Sequence, residues 1–387
     1  MWKMILILFS ISLGTIYTVR IGGSGYNLQI AEVLLFFLFF IFMARSYDSG
    51  IKIQVNLFEK IFLVLQIICG TYAILIFLWS DYGISVFPGA LSIFIGFIAF
   101  LFAKVLLKES VIAYEIANRF LLSSIVLQLV LNMGLNLNTI DNQFYALKVA
   151  SVTLMGESNY ISIFLGFFFL YEFISRKKYW ILFVLISILG IFLTVSRGAI
   201  LSISFSLIVY IIITLFNSKV NKFKTILSIL FVIFIALFLF NKTIVGVQLL
   251  TQLTYGFETG NSAGRDVLLH NAILQFLSNP FGSGIVLDND PHNVIIKSLR
   301  DLGIIFGPIY ITLLLYPLYY LFNYKVIRYS NTTIALLVGY FSVIIHSLVE
   351  IFYFNSSSII WTVCTLAAIN NMVSLEKKKR FPVDSIY

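Results

Sequence analysis

The chain has 387 residues, 60% of them hydrophobic and only 11% charged, with a mean hydropathy of +0.99. A water-soluble domain carries roughly a quarter of its residues as charges, so this composition excludes a soluble enzyme or binding module and makes lipid the main solvent. The formal net charge of +9 invites a nucleic-acid partner, but the basic residues lie scattered through short connections between apolar runs. That is the pattern of membrane anchors, and no nucleic acid is expected.

A membrane-spanning helix needs about 20 apolar residues. In chain order the runs that qualify are 2–19, 28–44, 57–79, 84–107, 113–133, 158–175, 179–196, 198–216, 224–245, 302–323, 331–350 and 356–374. The first is followed by Tyr17-Thr18-Val19-Arg20, without a small-residue cleavage site, and reads as a retained span rather than a signal peptide. Cys69 and Cys364 sit inside apolar runs and read as small buried hydrophobes. The expectation is an all-α, polytopic membrane helix bundle of about 12 spans, residues 1–387 forming a single integral membrane domain.

The basic residues orient this bundle. With the N-terminus inside, Lys3, Arg45, Lys52, Lys60, Lys104 and Lys108 face the cytoplasm, as do the cluster Arg176 to Lys178, the connection holding Lys219, Lys222 and Lys224, then Lys325, Arg328 and the tail Lys377 to Arg380: 18 in all. The opposite side receives Arg20, Lys148, Arg197, Lys242, Arg265, Lys297 and Arg300, seven residues, with Arg119 undecided. The excess inside places both termini in the cytoplasm, and shifting the span count by one destroys it.

Two outer connections are long. One runs from Gly134 to Glu157; the other, 246–301 between the ninth and tenth spans, is a large periplasmic loop punctuated by Gly260, Gly264, Pro280, Gly282, Gly284 and Pro291. Loops of this length in a compact protein are usually functional. Within the second, 265–277 has apolar residues at helical spacing and predicts an amphipathic helix, and 293–302 predicts a short one. No internal repeat supports a transporter built from inverted halves.

The outward cations need an explanation. Arg197 lies between two spans with almost no loop. Such an arginine either snorkels to headgroups or serves as an anion site, because guanidinium binds phosphate oxygens bidentately. Helix amides beginning near Ser196 would add to that attraction. His292 is the one histidine in a glycine- and aspartate-rich outer loop, and neutral imidazole is suited to accept a hydroxyl proton. His270, on the amphipathic segment, reads as a packing or polar-contact residue. His346 and Glu350 are spaced i, i+4, which puts them on one helix face at the outer end of the eleventh span, either as a structural pair or as a wall that orients an acceptor hydroxyl. Asp288 and Asp290 read as turn residues, and no ligand spacing predicts a metal or other cofactor.

Ser196-Arg197-Gly198-Ala199 opening a span resembles the hallmark of the O-antigen polymerase and O-antigen ligase superfamily. The order continues with Gly264-Arg265, Asn279-Pro280-Phe281-Gly282-Ser283-Gly284, Pro291-His292-Asn293 and Leu302-Gly303. Upstream, Glu157-Ser158-Asn159-Tyr160 resembles the asparagine-containing entry to the sixth span. The resemblance covers roughly 158–350 and implies a metal-independent glycosyltransferase acting on undecaprenyl-diphosphate-linked oligosaccharide, donor and acceptor alike. By that resemblance Arg197 and Arg265 hold the donor diphosphate and His292 activates the acceptor hydroxyl. Asn293, Asn159, Glu157, His346 and Glu350 line the substrate site. Polymerisation of O-antigen repeat units is the first expectation, with membrane lipid and a chain-length regulator as further partners. Transfer to lipid A core by a ligase is the alternative, and a lipid-linked oligosaccharide flippase is the rival from another class. A flippase would carry charge through the centres of its spans, where this chain has almost none.

Overall fold

The computed structural model describes residues 1–21, 24–49, 55–107, 111–136, 144–217, 222–243, 245–248, 250–251, 254, 264–286 and 290–380. Lys52, Lys108, Lys219, Gly260 and Asp288, to which the sequence assigned sides or turns, lie outside them. The protein is an all-α polytopic membrane protein, with one small hairpin among the described residues. Among the described residues seven helices are long and apolar enough to span a bilayer, and four apolar helices are shorter. The chain divides into two compact units.

The first unit comprises Met1–Leu121, Gly264–Pro317 and Ser347–Tyr387. It opens with α1 (Trp2–Ile11) and a hairpin of β1 (Thr15–Ile21) and β2 (Ser24–Gln29), antiparallel with Thr18 opposite Asn27. This corrects the run 2–19 expected as a span. A ten-residue helix rises about 15 Å, half the hydrocarbon thickness. The helix ends at Ile11 and the chain turns at Gly14, whose φ of 74° an L-residue resists, and Thr15 to Ile21, rich in β-branched residues, continues as a strand.

There follow α2 (Ile30–Ser49), α3 (Leu57–Leu75), α4 (Phe87–Leu107) and the first part of α5 (Ile112–Leu135). A capping box starts α3: Asn56 accepts from the Glu59 amide at 2.9 Å and Glu59 accepts from the Asn56 amide at 3.0 Å. Glu59 also pairs with Lys104 at 2.7 Å, joining α3 to α4, and Lys104 reaches Asn371 on the last helix. The unit is completed by α11 (Arg265–Ser278), α12 (Val294–Leu315) and α15 (Ser356–Arg380). In α15, 83% of the spanning window is buried. Tyr114 and Asn118 of α5 anchor it through Thr365 (2.7 Å) and Trp361 (3.1 Å).

The tenth run, expected at 302–323, is displaced. Helix α12 runs from Val294 to Leu315 and is broken at Gly303 (φ 75°, ψ −177°), and a separate α13 (Pro317–Phe322) follows. The short helix expected at 293–302 is therefore the first half of α12, and the amphipathic helix expected at 265–277 is α11.

The second unit comprises Leu122–Ala263 and Leu318–His346. Its elements are the rest of α5, α6 (Phe144–Ala150), α7 (Ser158–Ser175), α8 (Trp180–Thr194), α9 (Arg197–Phe216), α10 (Lys222–Lys242), most of α13 and α14 (Asn331–Ser347). The apolar residues of α7 surround its whole axis, the signature of a helix buried on every side, and 89% of it is buried. The long connection after α5 contains α6. Leu147 and Ala150 pack there with Met133 and with Val195, at the junction of α8 and α9.

Candidate functional site

In the first unit the break in α12 builds the loop before it. An intact helix would donate the Ile304 amide to the Arg300 carbonyl; here Ile304 N donates to Pro280 O at 2.9 Å. The freed carbonyls of Arg300 and Asp301 accept from the amides of Ser283 (2.9 Å) and Gly284 (3.0 Å). The Asn279-to-Gly284 motif thus satisfies backbone groups that would otherwise be orphaned in an apolar setting. The loop's own carbonyls are held from the end of α3: Tyr72 Oη donates to Phe281 O at 2.6 Å, Trp79 Nε1 to Gly282 O at 3.1 Å, and Ser80 Oγ to Ser283 O.

Four ionised side chains lie beneath this loop. Lys297 Nζ is 2.9 Å from Asp301 and 2.5 Å from Asp290, and donates to Val286 O at 2.8 Å. Arg300 Nε is 2.7 Å from Asp301. Lys297, Arg300 and Asp301 are fully buried, and two cations against two carboxylates leave no net charge. Burial pushes the Asp290 carboxyl above the usual carboxylate range, against the pull of Lys297. The sequence analysis took Lys297 and Arg300 only as anchors and Asp290 as a turn residue. The i, i+4 spacing of Lys297 and Asp301 was the available signal.

Asp290 leads into Pro291 and His292, whose φ of 49° is left-handed, a conformation that gathers at functional sites. Asn293 begins α12, its side chain accepting from the amides of Ile295 (3.0 Å) and Ile296 (3.1 Å) while its Nδ2 donates to Leu348 O at 3.1 Å. Its amide is thus engaged in holding the start of α12 to the 348 segment. Next to it stands the chemical centre of the unit. Glu350 receives His292 Nδ1 on Oε1 at 2.8 Å and Arg265 Nη2 on Oε2 at 3.2 Å. The Glu350 side chain is 11% exposed, those of His292 and Arg265 29% and 35%. A carboxylate bound to Nδ1–H holds the imidazole in one tautomer and orientation, leaving the Nε2 lone pair free to take a proton.

This geometry corrects the reading of Glu350 as a partner of His346 on one helix face. Helix α14 ends at Ser347, so Glu350 lies beyond it and its carboxylate turns to Arg265 and His292. His346 is buried in the last turn of α14, in the second unit. His270, expected in packing or a polar contact, is on an exposed face of α11.

Arg197 and Asn159 belong to the second unit. Val195 closes α8 in a left-handed conformation (φ 50°), and Ser196 caps α9 by accepting from the Ala199 amide at 3.4 Å. Half-buried Arg197 is the first residue of α9. Lys148 of α6 draws the neighbouring elements together, donating to Ser158 Oγ at 2.9 Å, to Asn159 Oδ1 at 2.5 Å and to Thr194 O at 3.3 Å. Glu157 stands exposed at the N-cap position of α7 without a side-chain cap bond. Lys148 is absent from the residues the sequence singled out, though its outward position among so few cations was visible.

In the first unit Glu350 thus orders an imidazole and a guanidinium, and in the second Arg197 opens a capped helix. Residues 182–311, about a third of the chain, match the O-antigen ligase family model and are similar to it over that segment. The matched segment runs from α8 into α12 and contains Arg197, Arg265 and His292. No curated protein matches the chain.

Proposed function

We propose that this protein polymerises undecaprenyl-diphosphate-linked repeat units at the periplasmic face of the inner membrane, by inverting and metal-independent glycosyl transfer. His292 Nε2 takes the proton of an acceptor hydroxyl as that oxygen attacks the anomeric carbon of the donor. The bond from the anomeric carbon to the diphosphate breaks, and undecaprenyl diphosphate leaves with the electron pair. Arg265 and Arg197 bind diphosphate oxygens, stabilising charge as it develops, which is usually the largest contribution to catalysis. Glu350 is a positioning residue that aims the imidazole and the Arg265 fork. Permanently charged guanidinium groups meet this task without a metal ion.

The observation that carries the reading is the shared carboxylate, with His292 Nδ1 at 2.8 Å and Arg265 at 3.2 Å: a base and an anion-binding fork stand on either side of one group. A composition rich in isoleucine, phenylalanine and asparagine resembles that of proteins encoded in AT-rich surface-polysaccharide clusters, where polymerases reside, and puts the polymerase first. The family match is described as an O-antigen ligase and favours transfer to lipid A core. Purified protein incubated with the lipid-linked repeat unit alone decides between them. A ladder of products is expected; transfer only after lipid A core is added establishes the ligase, and no transfer in either case defeats both.

A further inference from the structure

The second unit carries an open groove between α8 and α10, with a volume of about 390 Å³. This is the size range of small-ligand pockets. Ile181, Val184 and Ile188 line it from α8, and Leu227, Phe231 and Ile235 from α10. These spacings put each set on one face of its helix. A second cavity of about 170 Å³ shares Ile188 and Val232 with the first and continues to Phe192. From Ile181 to Phe192 a helix rises about 16 Å. The space is long, narrow and apolar, the shape of a hydrocarbon chain.

One end of this groove is charged. Arg176, Lys177 and Lys178 lie in the turn between α7 and α8. Half-buried Arg176 is fixed to three residues of the groove lining. Its Nη2 donates to Ser228 Oγ at 3.3 Å, and its guanidinium carbon lies 5.9 Å from the ring centroid of Phe173 and 5.7 Å from that of Trp180. None of these partners is a carboxylate. Lys178 is exposed, its ammonium 4.9 Å from the Tyr179 ring centroid. No side chain caps the start of α8 at Trp180, and the open amides of a helix start attract anions. Anchoring at a span end accounts for cations in this turn. It does not account for one of them being held on the lining of an apolar groove.

A cation fixed at the mouth of a long hydrocarbon groove matches an amphiphile with a negative head and a linear tail. A free anion would leave the groove unused, and a zwitterionic lipid would gain little from the three cations. The donor diphosphate of the proposed reaction is assigned to Arg197, at the other end of α8 and about 22 Å away along the helix axis. The charge asymmetry of the sequence sets Arg176 to Lys178 on the cytoplasmic side, where anionic phospholipids attract basic segments.

We propose that the groove between α8 and α10 binds an anionic phospholipid, one acyl chain lying between the two helices and the phosphate resting on Arg176 and Lys178. The site is separate from the glycosyl-transfer centre and stands whether or not that reaction is correct. The test reads tryptophan fluorescence of the full-length protein reconstituted in phosphatidylcholine. Phosphatidylglycerol brominated high on its acyl chains is titrated in as the quencher, with equally brominated phosphatidylcholine as the reference. The contribution of Trp180 is the difference between the unaltered protein and Trp180→Phe. Phosphatidylglycerol is expected to bind beside Trp180 about fivefold or more tightly than phosphatidylcholine. Arg176→Gln should bring the two lipids to near equality. Lys325→Gln, which removes a cation assigned to the same side but absent from the groove lining, should leave the preference intact. Equal binding of the two lipids to the unaltered protein would reduce the groove to ordinary lipid-facing surface and overturn the site. So would a preference that survives Arg176→Gln, one that falls as far in Lys325→Gln, or one carried wholly by the other tryptophans. If Arg176→Gln does not fold, the ratio at Trp180 in the unaltered protein decides alone.

Discussion

Glu350 divides its two oxygens between an imidazole and a guanidinium, so its replacement should separate positioning from chemistry. Glu350→Gln is expected to lower turnover about 10- to 100-fold, as loss of an orienting partner does elsewhere, while bound donor changes less. His292→Ala should cost about 10²- to 10⁴-fold in rate, the usual worth of a general base. Both are read from product ladders and donor-binding isotherms on purified protein, and a His292→Ala rate equal to that of the parent would remove the base. Arg197→Ala should abolish chain extension and Arg197→Lys restore part of it, because an ammonium lacks the guanidinium fork. Full activity of the alanine variant would exclude a diphosphate role. Lys297→Met would leave Asp290 and Asp301 facing one remaining cation. Breaking a buried pair costs about 3–5 kcal/mol, and a large drop in detergent melting temperature is expected. Arg197, Arg265 and His292 stood out in the sequence because outward cations are few and one histidine sits in a polar loop, and the structure joins two of them, Arg265 and His292, through Glu350. The partners of Glu350 were not, because the end of α14 at Ser347 lies within an unbroken apolar stretch.

At the level of elements, the break in α12 sets the loop that precedes His292. Gly303 adopts a conformation essentially confined to glycine, and a Cβ added there would lie 2.5 Å from the Phe281 carbonyl carbon. Gly303→Ala is expected to lose about 1–3 kcal/mol from the backbone alone, more from the collision, and most of the activity. Gly134, exposed near the end of α5, has nothing within 4 Å of such an atom. Gly134→Ala should be neutral or stabilising by about 0.5–1 kcal/mol. Thermal unfolding of the two variants side by side checks the contrast, and a harmless Gly303→Ala would refute the role given to the break. The sequence marked 293–302 as a helix and 302 onward as a span, so both halves of α12 were legible. Their joining at Gly303, held by the 280–284 loop, depends on hydrogen bonds between residues some twenty positions apart.

For the whole molecule, the proposed topology predicts which surfaces reach each compartment. Cys69 and Cys364 are buried, so new cysteines can be read against a quiet background. In intact cells a membrane-impermeant maleimide should label Ser278→Cys, and should label Ser330→Cys only after the membrane is opened; the reverse pattern would invert the orientation. Composition and charge asymmetry by themselves determined that this chain is a helical membrane protein with its polar chemistry concentrated in a few connections. Both are averages over many residues, and lipid enforces them whatever the packing. Only the tertiary structure decided that the first apolar run ends after ten helical residues, that Glu350 joins His292 to Arg265, and that Arg176 meets Ser228 at the mouth of a groove. Each of these depends on one atom meeting another from a distant part of the chain, and hydropathy carries no record of such meetings.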